Sequence, residues 1–581
     1  MKRREFLTSS VAAGAAVASL TSAASAAATS PQSSTSGKPP GRLGRSYRII
    51  WDYNHGEESF YNPPMEPEKI AQAHFGHFEG TPVDAIMVPL GPDCGYTVSY
   101  PTKVKGVDFI LDRYNRGAKL GGINFWRHAE NLKHIWEMGR DPFQIQVDEA
   151  ERLGIDLWFR LSMNDWHHAD TEGNVVRLIG SQFFIDHPEF RLGEAGTKGA
   201  PAGLADSIKQ FQDYAYPEVR QLRMDLMTES CERYDARGFE YDFMRCPAYF
   251  KYGQEEQHVP VMTEFVRESR RILDEIGKKK GRQLGLSVRV PNTIDGARRL
   301  GLDVPTWIHE ELVDLVVPST FFNADLEENI TEWAELARNT PVRINPAFEE
   351  GYNAGHTGGV TRCFYKPSIM LPVTTEMING IAARHWRNGA DGLYLFNWFG
   401  TAPTYDYDNS SALDDIGDPL RLKYKNKRYV VMRRDNSFPN CLPVERQLPT
   451  RIDKKTTPIS IDVADDLKEA GTRVKRVQLH AHLNNLTVVD ELEARLNGQV
   501  LECTNPMQPG GYDPRSSSWQ NFEIPPDAVR HGKNEVALRM VKQNDRIVKE
   551  LPIELADLEL FIEYEYPNGP WLSPPGYVPR T

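Results

Sequence analysis

Cysteine is scarce in this chain: six residues in 581, at positions 94, 231, 246, 363, 441 and 503. None forms a Cys-x-x-Cys pair, so neither a zinc knuckle nor a thioredoxin-type centre is encoded, and buried thiols are the expected state for most of them. Long apolar runs are missing too. Beyond the N-terminus nothing approaches the roughly 18 uninterrupted apolar residues of a membrane-spanning helix, so the mature form is expected to have no membrane contact. Excess positive charge is also absent. There are 68 Lys+Arg against 80 Asp+Glu, a formal charge of -12 and a pI near 5.8. That balance argues against duplex nucleic acid or anionic lipid as the main partner. No Gly-x-Gly-x-x-Gly loop follows a candidate strand and no His-x-His or His-Glu-x-x-His occurs, so no nucleotide cofactor and no metal is called for. No internal repeat is visible.

What is present is the composition of a globular protein: 40% hydrophobic, 25% charged and 10% aromatic residues. At the N-terminus, Lys2-Arg3-Arg4-Glu5-Phe6-Leu7 precedes a weakly apolar run, and Ala24-Ser25-Ala26 offers a cleavage site. This pattern reads as a twin-arginine signal peptide over 1–26, which predicts export to the periplasm or beyond. Residues 27–46, rich in Ser, Thr, Gly and Pro, read as a flexible leader.

From 47 to 434, short apolar runs alternate with amphipathic segments. Strands are expected over 48–53, 85–90, 155–161, 238–243, 284–290, 312–318, 342–346 and 392–396, with helices over 142–153, 217–234, 259–276, 330–339 and 373–388. Eight strand–helix units predict an α/β protein with a (β/α)8 barrel; an open doubly wound sheet is the alternative. Two long connections, 91–140 and 164–216, are of a length that is usually functional. From 435 to 581 short alternating runs are divided by Asn-Gly, Pro-Gly-Gly and His-Gly turns, which predicts a smaller antiparallel β-sandwich.

Side-chain parity picks out a site. Alternate residues of a barrel strand face the lumen or the helices. Leu157, Phe159 and Leu161 share one face against Trp158, Arg160 and Ser162, and Phe239, Tyr241 and Phe243 oppose Glu240 and Asp242. Ser287 and Arg289 oppose Leu286, Val288 and Val290, while Arg343, Asn345 and Glu349 oppose Val342, Ile344 and Phe348. A lumen that needed only packing would be aliphatic, so this cluster of charges requires a reason. One reason is a structural ion network. The other is catalysis: Asp242 ends the fourth strand and Glu349 the seventh, and paired carboxylates at the C-terminal mouth of a barrel suit glycosidic bond cleavage. Glu240 and Glu350 are alternates for the pair.

Around them Asn54, His55, Arg160, Asn164, Asp165, His167, Arg245, Arg289, Asn345, Asn397 and Trp398 are candidate substrate contacts. Amides and charges hydrogen-bond hydroxyl groups and indole faces stack on sugar rings, so a carbohydrate is the expected partner. Four arginines (160, 245, 289 and 343) against three acids (240, 242 and 349) would leave a small positive surplus suited to an anionic sugar, unless the arginines merely balance these and other buried acids such as Asp52.

The segment Tyr234-Asp235-Ala236-Arg237-Gly238-Phe239-Glu240-Tyr241-Asp242-Phe243-Met244-Arg245-Cys246-Pro247 resembles the Y-D-V-D-G-I-x-F-D-Y-I-R-Y-P signature of the glycosyl-hydrolase-like family 10 barrels. Tyr216–Arg220, the His187-Pro188-Glu189-Phe190 stretch and Val313–Pro318 are similar to further segments of that family. The likeness spans about 47–400. It departs from the signature at Ala236, Arg237 and Cys246. The resemblance implies a glycoside hydrolase barrel in which Asp242 is the signature acid, and it names no substrate. By likeness to clan A glycosidases Asp242 would be the acid and Glu349 the nucleophile; likeness to α-amylase-type barrels reverses the roles. The sandwich resembles accessory jelly rolls appended to such enzymes. The rival functions are a non-catalytic glycan-binding barrel and a metal-dependent carbohydrate esterase or deacetylase built on His55, Asp165 and His167.

Overall fold

A computed structural model describes residues 38–53, 56–92, 97–198, 202–320, 324–349, 351–354, 369–398, 412–432, 447–510 and 517–565. The expected signal peptide, most of the leader, and Asn54, His55 and Glu350 lie outside these residues.

Nine parallel strands form one curled sheet: β1 (Ile49–Asp52), β2 (Val83–Pro89), β3 (Asp156–Ser162), β4 (Gly238–Asp242), β5 (Gly285–Pro291), β6 (Leu315–Ser319), β7 (Arg343–Ile344), β8 (Ala347–Phe348) and β9 (Leu393–Phe396). β7 and β8 are two halves of a single stave. The first pairs with β6 and the second with β9, and the intervening Asn345 and Pro346 keep both ladders alive through Asn345 N–H to Val316 O and Tyr394 N–H to Pro346 O, each 3.0 Å. β9 then pairs with β1. The ring is therefore closed, with eight staves, and the open-sheet alternative falls away.

Closure divides the apolar residues into two cores. Helix-facing side chains such as Phe159, Tyr241, Val288 and Leu395 form one large outer core. Tyr47, Ile50, Met87, Trp158, Val317, Tyr394 and Phe396 form a separate cluster inside the lumen. Trp158 seals the lower lumen. Its indole lies directly over Gly238 and Gly285, where any Cβ would collide with the ring. It donates to Tyr47 Oη at 3.2 Å, which in turn donates to Asp156 at 2.7 Å.

The helices begin and end where their sequences say they should. In α1 (Pro142–Leu153) the Asp141 carboxylate caps the Phe143 and Gln144 amides, Pro142 occupies the first turn, and Gly154 closes the helix at φ 69°. The 91–140 connection folds into a two-strand parallel ladder, Thr97–Val98 with Asp108–Phe109, and two helices, Ile110–Asn115 and Ile123–Glu137.

Residues beyond 426 build the sandwich. Lys427–Val431, Glu554–Tyr564, Val474–Asn484, Ser517–Glu523 and Glu502–Cys503 form one sheet, with Thr450–Arg451 beside Glu554–Tyr564. Thr457–Val463, Gly532–Lys542, Glu491–Leu496 and Gln499–Val500 form the other. In Thr457–Val463, Ile459, Ile461 and Val463 are buried and Ser460 is exposed, the period of two that the sequence shows. The strand Lys427–Val431 pairs within the sandwich although it precedes the expected boundary at 435. Among the described residues no helix is long and apolar enough to cross a membrane.

Candidate active site

The lumen above Trp158 is polar. Asp52 from β1, Arg160 from β3, Glu240 and Asp242 from β4, Ser287 and Arg289 from β5, Ser319 from β6 and Tyr394 from β9 are all almost wholly buried. Asp242 is saturated with donors. Its Oδ1 accepts from Arg289 Nε (2.9 Å) and from the Met244 and Arg245 amides (2.9 and 3.0 Å), and its Oδ2 accepts from Arg160 Nη2 (2.8 Å). Arg160 also pairs with Asp52 Oδ2 at 3.0 Å. Arg289 continues to Ser319 Oγ at 3.2 Å and lies 3.5 Å above the Phe396 ring. Tyr394 Oη stands 2.5 Å from Asp52 Oδ2 and 2.7 Å from Glu240 Oε1, and Ser287 donates to Glu240 Oε2 at 2.7 Å.

Burial, then the charges of Asp52 and Asp242, push the Glu240 carboxyl up to about 8. Burial likewise raises Asp52 to about 6 against the opposing pull of Arg160. Parity thus placed Asp242, Glu240, Arg160 and Arg289 on one lumen, and the structure brings them together. It adds Asp52 as an ion-pair partner, and Tyr394 and Ser319, which were not anticipated. The alternation of Tyr394 and Phe396 against Leu393 and Leu395 carried that signal for β9.

A second group sits beyond the end of β3. Asp165 Oδ1 accepts from the His167 amide (2.6 Å) and faces His167 Nδ1 at 2.5 Å, and its Oδ2 lies 3.6 Å from Arg245 Nε. Burial opposes ionisation of Asp165, but the neighbouring His167 and Arg245 hold it well below the usual carboxylate range. The His167 ring is part-exposed and stacked on Trp166, with centroids 4.9 Å apart. Among the described residues no group of three or more His, Cys, Asp or Glu side chains is arranged to hold a metal ion.

A third group closes the seventh and eighth staves. Glu349 follows β8 and Asn397 follows β9, and Asn397 Nδ2 donates to Glu349 Oε2 at 3.3 Å. Asn397 takes φ 58°, a left-handed conformation that asparagine tolerates.

Four expectations are corrected. Asn164 does not face a ligand: its amide clamps Gln212 N–H and O and Ala248 O within 3.1 Å, fixing the loops above β3. Trp398 is no sugar platform, because its ring is buried against Trp51 and Phe348 and its N–H is committed to Phe348 O. Asn345 donates to Tyr47 O, below the start of β1, and so supports the lumen floor. Arg343 has the lumen parity but opens β7, so it emerges at the opposite end of the barrel, beside Asp391 (3.6 Å) and Pro39 O (3.2 Å). With Arg343 gone, Arg245 paired to Asp165, and Asp52 added, the expected positive surplus disappears.

No protein-family model matches the sequence, and no curated protein does either. Among solved structures, the chain is similar to the glycoside hydrolase domain of PgaB from Bordetella bronchiseptica, at 11% identity and TM-score 0.38 over 64% of this chain and 99% of that one. It is similar to a family GH18 chitinase from Chromobacterium violaceum at 10% identity and TM-score 0.33, over 87% and 90% of the two chains. It also resembles a Paenibacillus cycloisomaltooligosaccharide glucanotransferase at 10% identity and TM-score 0.29, covering 88% of this chain and 57% of that one. Likeness at these scores transfers no activity.

Proposed function

We propose that the chain is an exported glycoside hydrolase that works with two carboxylates at the C-terminal face of its barrel, Glu349 and Asp242. The observation that carries this reading is the placement of Asp52, Asp242 and Glu349 at or just beyond the C-terminal ends of three staves of one closed barrel, the face where catalysis in this fold is built. The signature-like segment Tyr234–Pro247, which contains Asp242, supports the same reaction class.

The hydrogen bonds favour one division of labour. Asp242, held in place by two guanidinium groups and two amides, is the carboxylate positioned to stabilise positive charge developing on a sugar ring. Glu349, oriented by the Asn397 amide at its Oε2, is then the proton donor to a leaving oxygen. Asp165, His167 and Arg245 line the neighbouring loop as substrate contacts. Because Arg160 and Arg289 are fully matched inside the lumen, they create no demand for an anionic sugar.

The test is turnover of a polysaccharide panel by the mature protein, followed by release of reducing ends. Glu349→Gln is expected to lower kcat by at least about 10²-fold, the scale of one general acid, while leaving thermal stability unchanged. Binding of a glycan without cleavage by the wild type would favour the binding-barrel reading instead.

A further inference from the structure

The lumen contains more acids than it can ionise. Five charged candidates meet there: Asp52, Glu240 and Asp242 against Arg160 and Arg289. All are almost wholly buried; the other lumen neighbours are the hydroxyl groups of Ser162, Ser287, Ser319 and Tyr394 and the apolar Met87, Val317, Ala347 and Phe396. Three carboxylates with two guanidinium groups would leave an uncompensated buried anion, which is costly. The tyrosine shows where the balance is made. A phenol carries one proton, yet Tyr394 Oη is at hydrogen-bond distance from two carboxyl oxygens, 2.5 Å from Asp52 and 2.7 Å from Glu240. One of the two contacts must use a proton supplied by the carboxyl itself.

Geometry chooses between them. Asp52 lies in an ion pair with Arg160, whereas Glu240 makes no ion pair among the described residues and meets only the Ser287 and Tyr394 hydroxyl groups. We propose that Glu240 is the barrel's resident carboxylic acid and that Glu240, Tyr394 and Asp52 form a one-proton relay through the lumen, with Asp52 as its end at the C-terminal edge of β1. At rest Glu240 Oε1–H donates to Tyr394 Oη, and Tyr394 donates to Asp52 Oδ2. A concerted shift breaks the Glu240 O–H and Tyr394 O–H bonds and forms new ones on Tyr394 Oη and Asp52 Oδ2. Glu240 is left ionised, Asp52 neutral, and the total charge of the lumen unchanged. Asp52 Oδ1 meets no donor among the described residues, so it is the relay's open oxygen. Tyr394 is a positioning residue in this scheme, and Glu240 is a proton store one layer beneath the reacting carboxylates.

The direction of the Glu240 shift agrees: the folded-state value, raised by burial to about 8, lies above the ordinary glutamate range. A raised acid stabilises the fold fully below its unfolded value. That contribution is lost as pH climbs from about 5 toward 8, with no further loss above.

The relay rests on the proposed hydrolase reading only for its catalytic use, and two measurements on the full chain test it without any substrate. Infrared difference spectra are expected to show a protonated carboxyl at pH 7 that bleaches near pH 8, is absent from Glu240→Gln and survives in Asp52→Asn. In Tyr394→Phe, which loses the hydroxyl that stabilises ionised Glu240, the band should persist to higher pH. In thermal unfolding, Glu240→Gln should gain on the wild type as pH rises from about 5 to 8 and run parallel to it above. A wild type with no protonated carboxyl at pH 7, a band removed by Asp52→Asn and kept in Glu240→Gln, or a pH-independent difference in melting temperature would each overturn the relay. Failure to cleave any glycan would instead overturn the hydrolase reading and leave these results standing.

Discussion

Asp242 receives four donors on two oxygens, and this determines what its substitution can teach. An amide in its place keeps one acceptor oxygen but turns an N–H₂ toward a guanidinium or a backbone amide; Arg160 keeps its ion pair with Asp52, while Arg289 loses its carboxylate partner. Breaking one member of a buried ion network costs about 3–5 kcal/mol. Asp242→Asn is therefore expected to lower the melting temperature markedly as well as to abolish turnover, and chemical denaturation should show the lost stability directly. Unchanged stability would mean that the arginines are solvated and that the network drawn here is wrong. Glu349, which shares no bond with Asp242, Arg160 or Arg289 among the described residues, separates chemistry from folding more cleanly, which is why it carries the catalytic test.

At the scale of elements, the lumen floor depends on a size match across three staves. Trp158 from β3 lies over Gly238 of β4 and Gly285 of β5, residues paired in register with each other. A methyl group at either glycine has no free space. Gly285→Ala is expected to destabilise the protein by about 1–3 kcal/mol through overpacking, and to do so less when combined with Trp158→Phe, whose smaller ring recedes. A double-mutant cycle by denaturant unfolding checks this; additive effects would show that the two residues do not touch. The same elements show what was legible in the sequence. Period-two alternation in 155–161, 238–243 and 284–290 was enough to assign the lumen faces of Arg160, Glu240, Asp242 and Arg289. Parity gives a side chain's face but not its height along the axis, so Arg343 and Asn345 had the correct face and the wrong end. Nor can it foresee tertiary commitments: Asn164 and Trp398 have the chemistry of ligand contacts, and neighbouring loops and the outer core had already claimed them. Tyr394 was missed because an isolated tyrosine in an apolar strand looks like packing until its hydroxyl meets two acids.

Across the whole molecule, the sandwich is tied to the barrel by buried polar bonds. From α2 (Thr375–Arg387), Arg384 donates to Asp462 O at 2.7 Å and lies 3.5 Å from its carboxylate, while Arg387 donates to Val463 O at 2.8 Å and pairs with Asp462. Glu327, just beyond the sixth stave, accepts from Met432 N–H at 2.6 Å and from Gln447 at 3.3 Å. Three residues after Glu349, the buried Tyr352 lies within the field of Glu559 and Asp557 of the sandwich; burial first, and then those charges, hold its phenol well above its ordinary value. Tyr352 thus lies within the electrostatic reach of the sandwich. Wild-type protein is accordingly expected to unfold in one calorimetric transition, with barrel and sandwich melting together. Arg384 is almost wholly buried at the junction, so Arg384→Met removes its bonds to Leu326 O and Asp462 without opening a large void. It should split the transition in two and cost about 1–3 kcal/mol, because Leu326 O remains buried without its donor. Added salt should not reproduce the split, since a buried pair is poorly screened. Two transitions already present in the wild type would show that the modules fold separately.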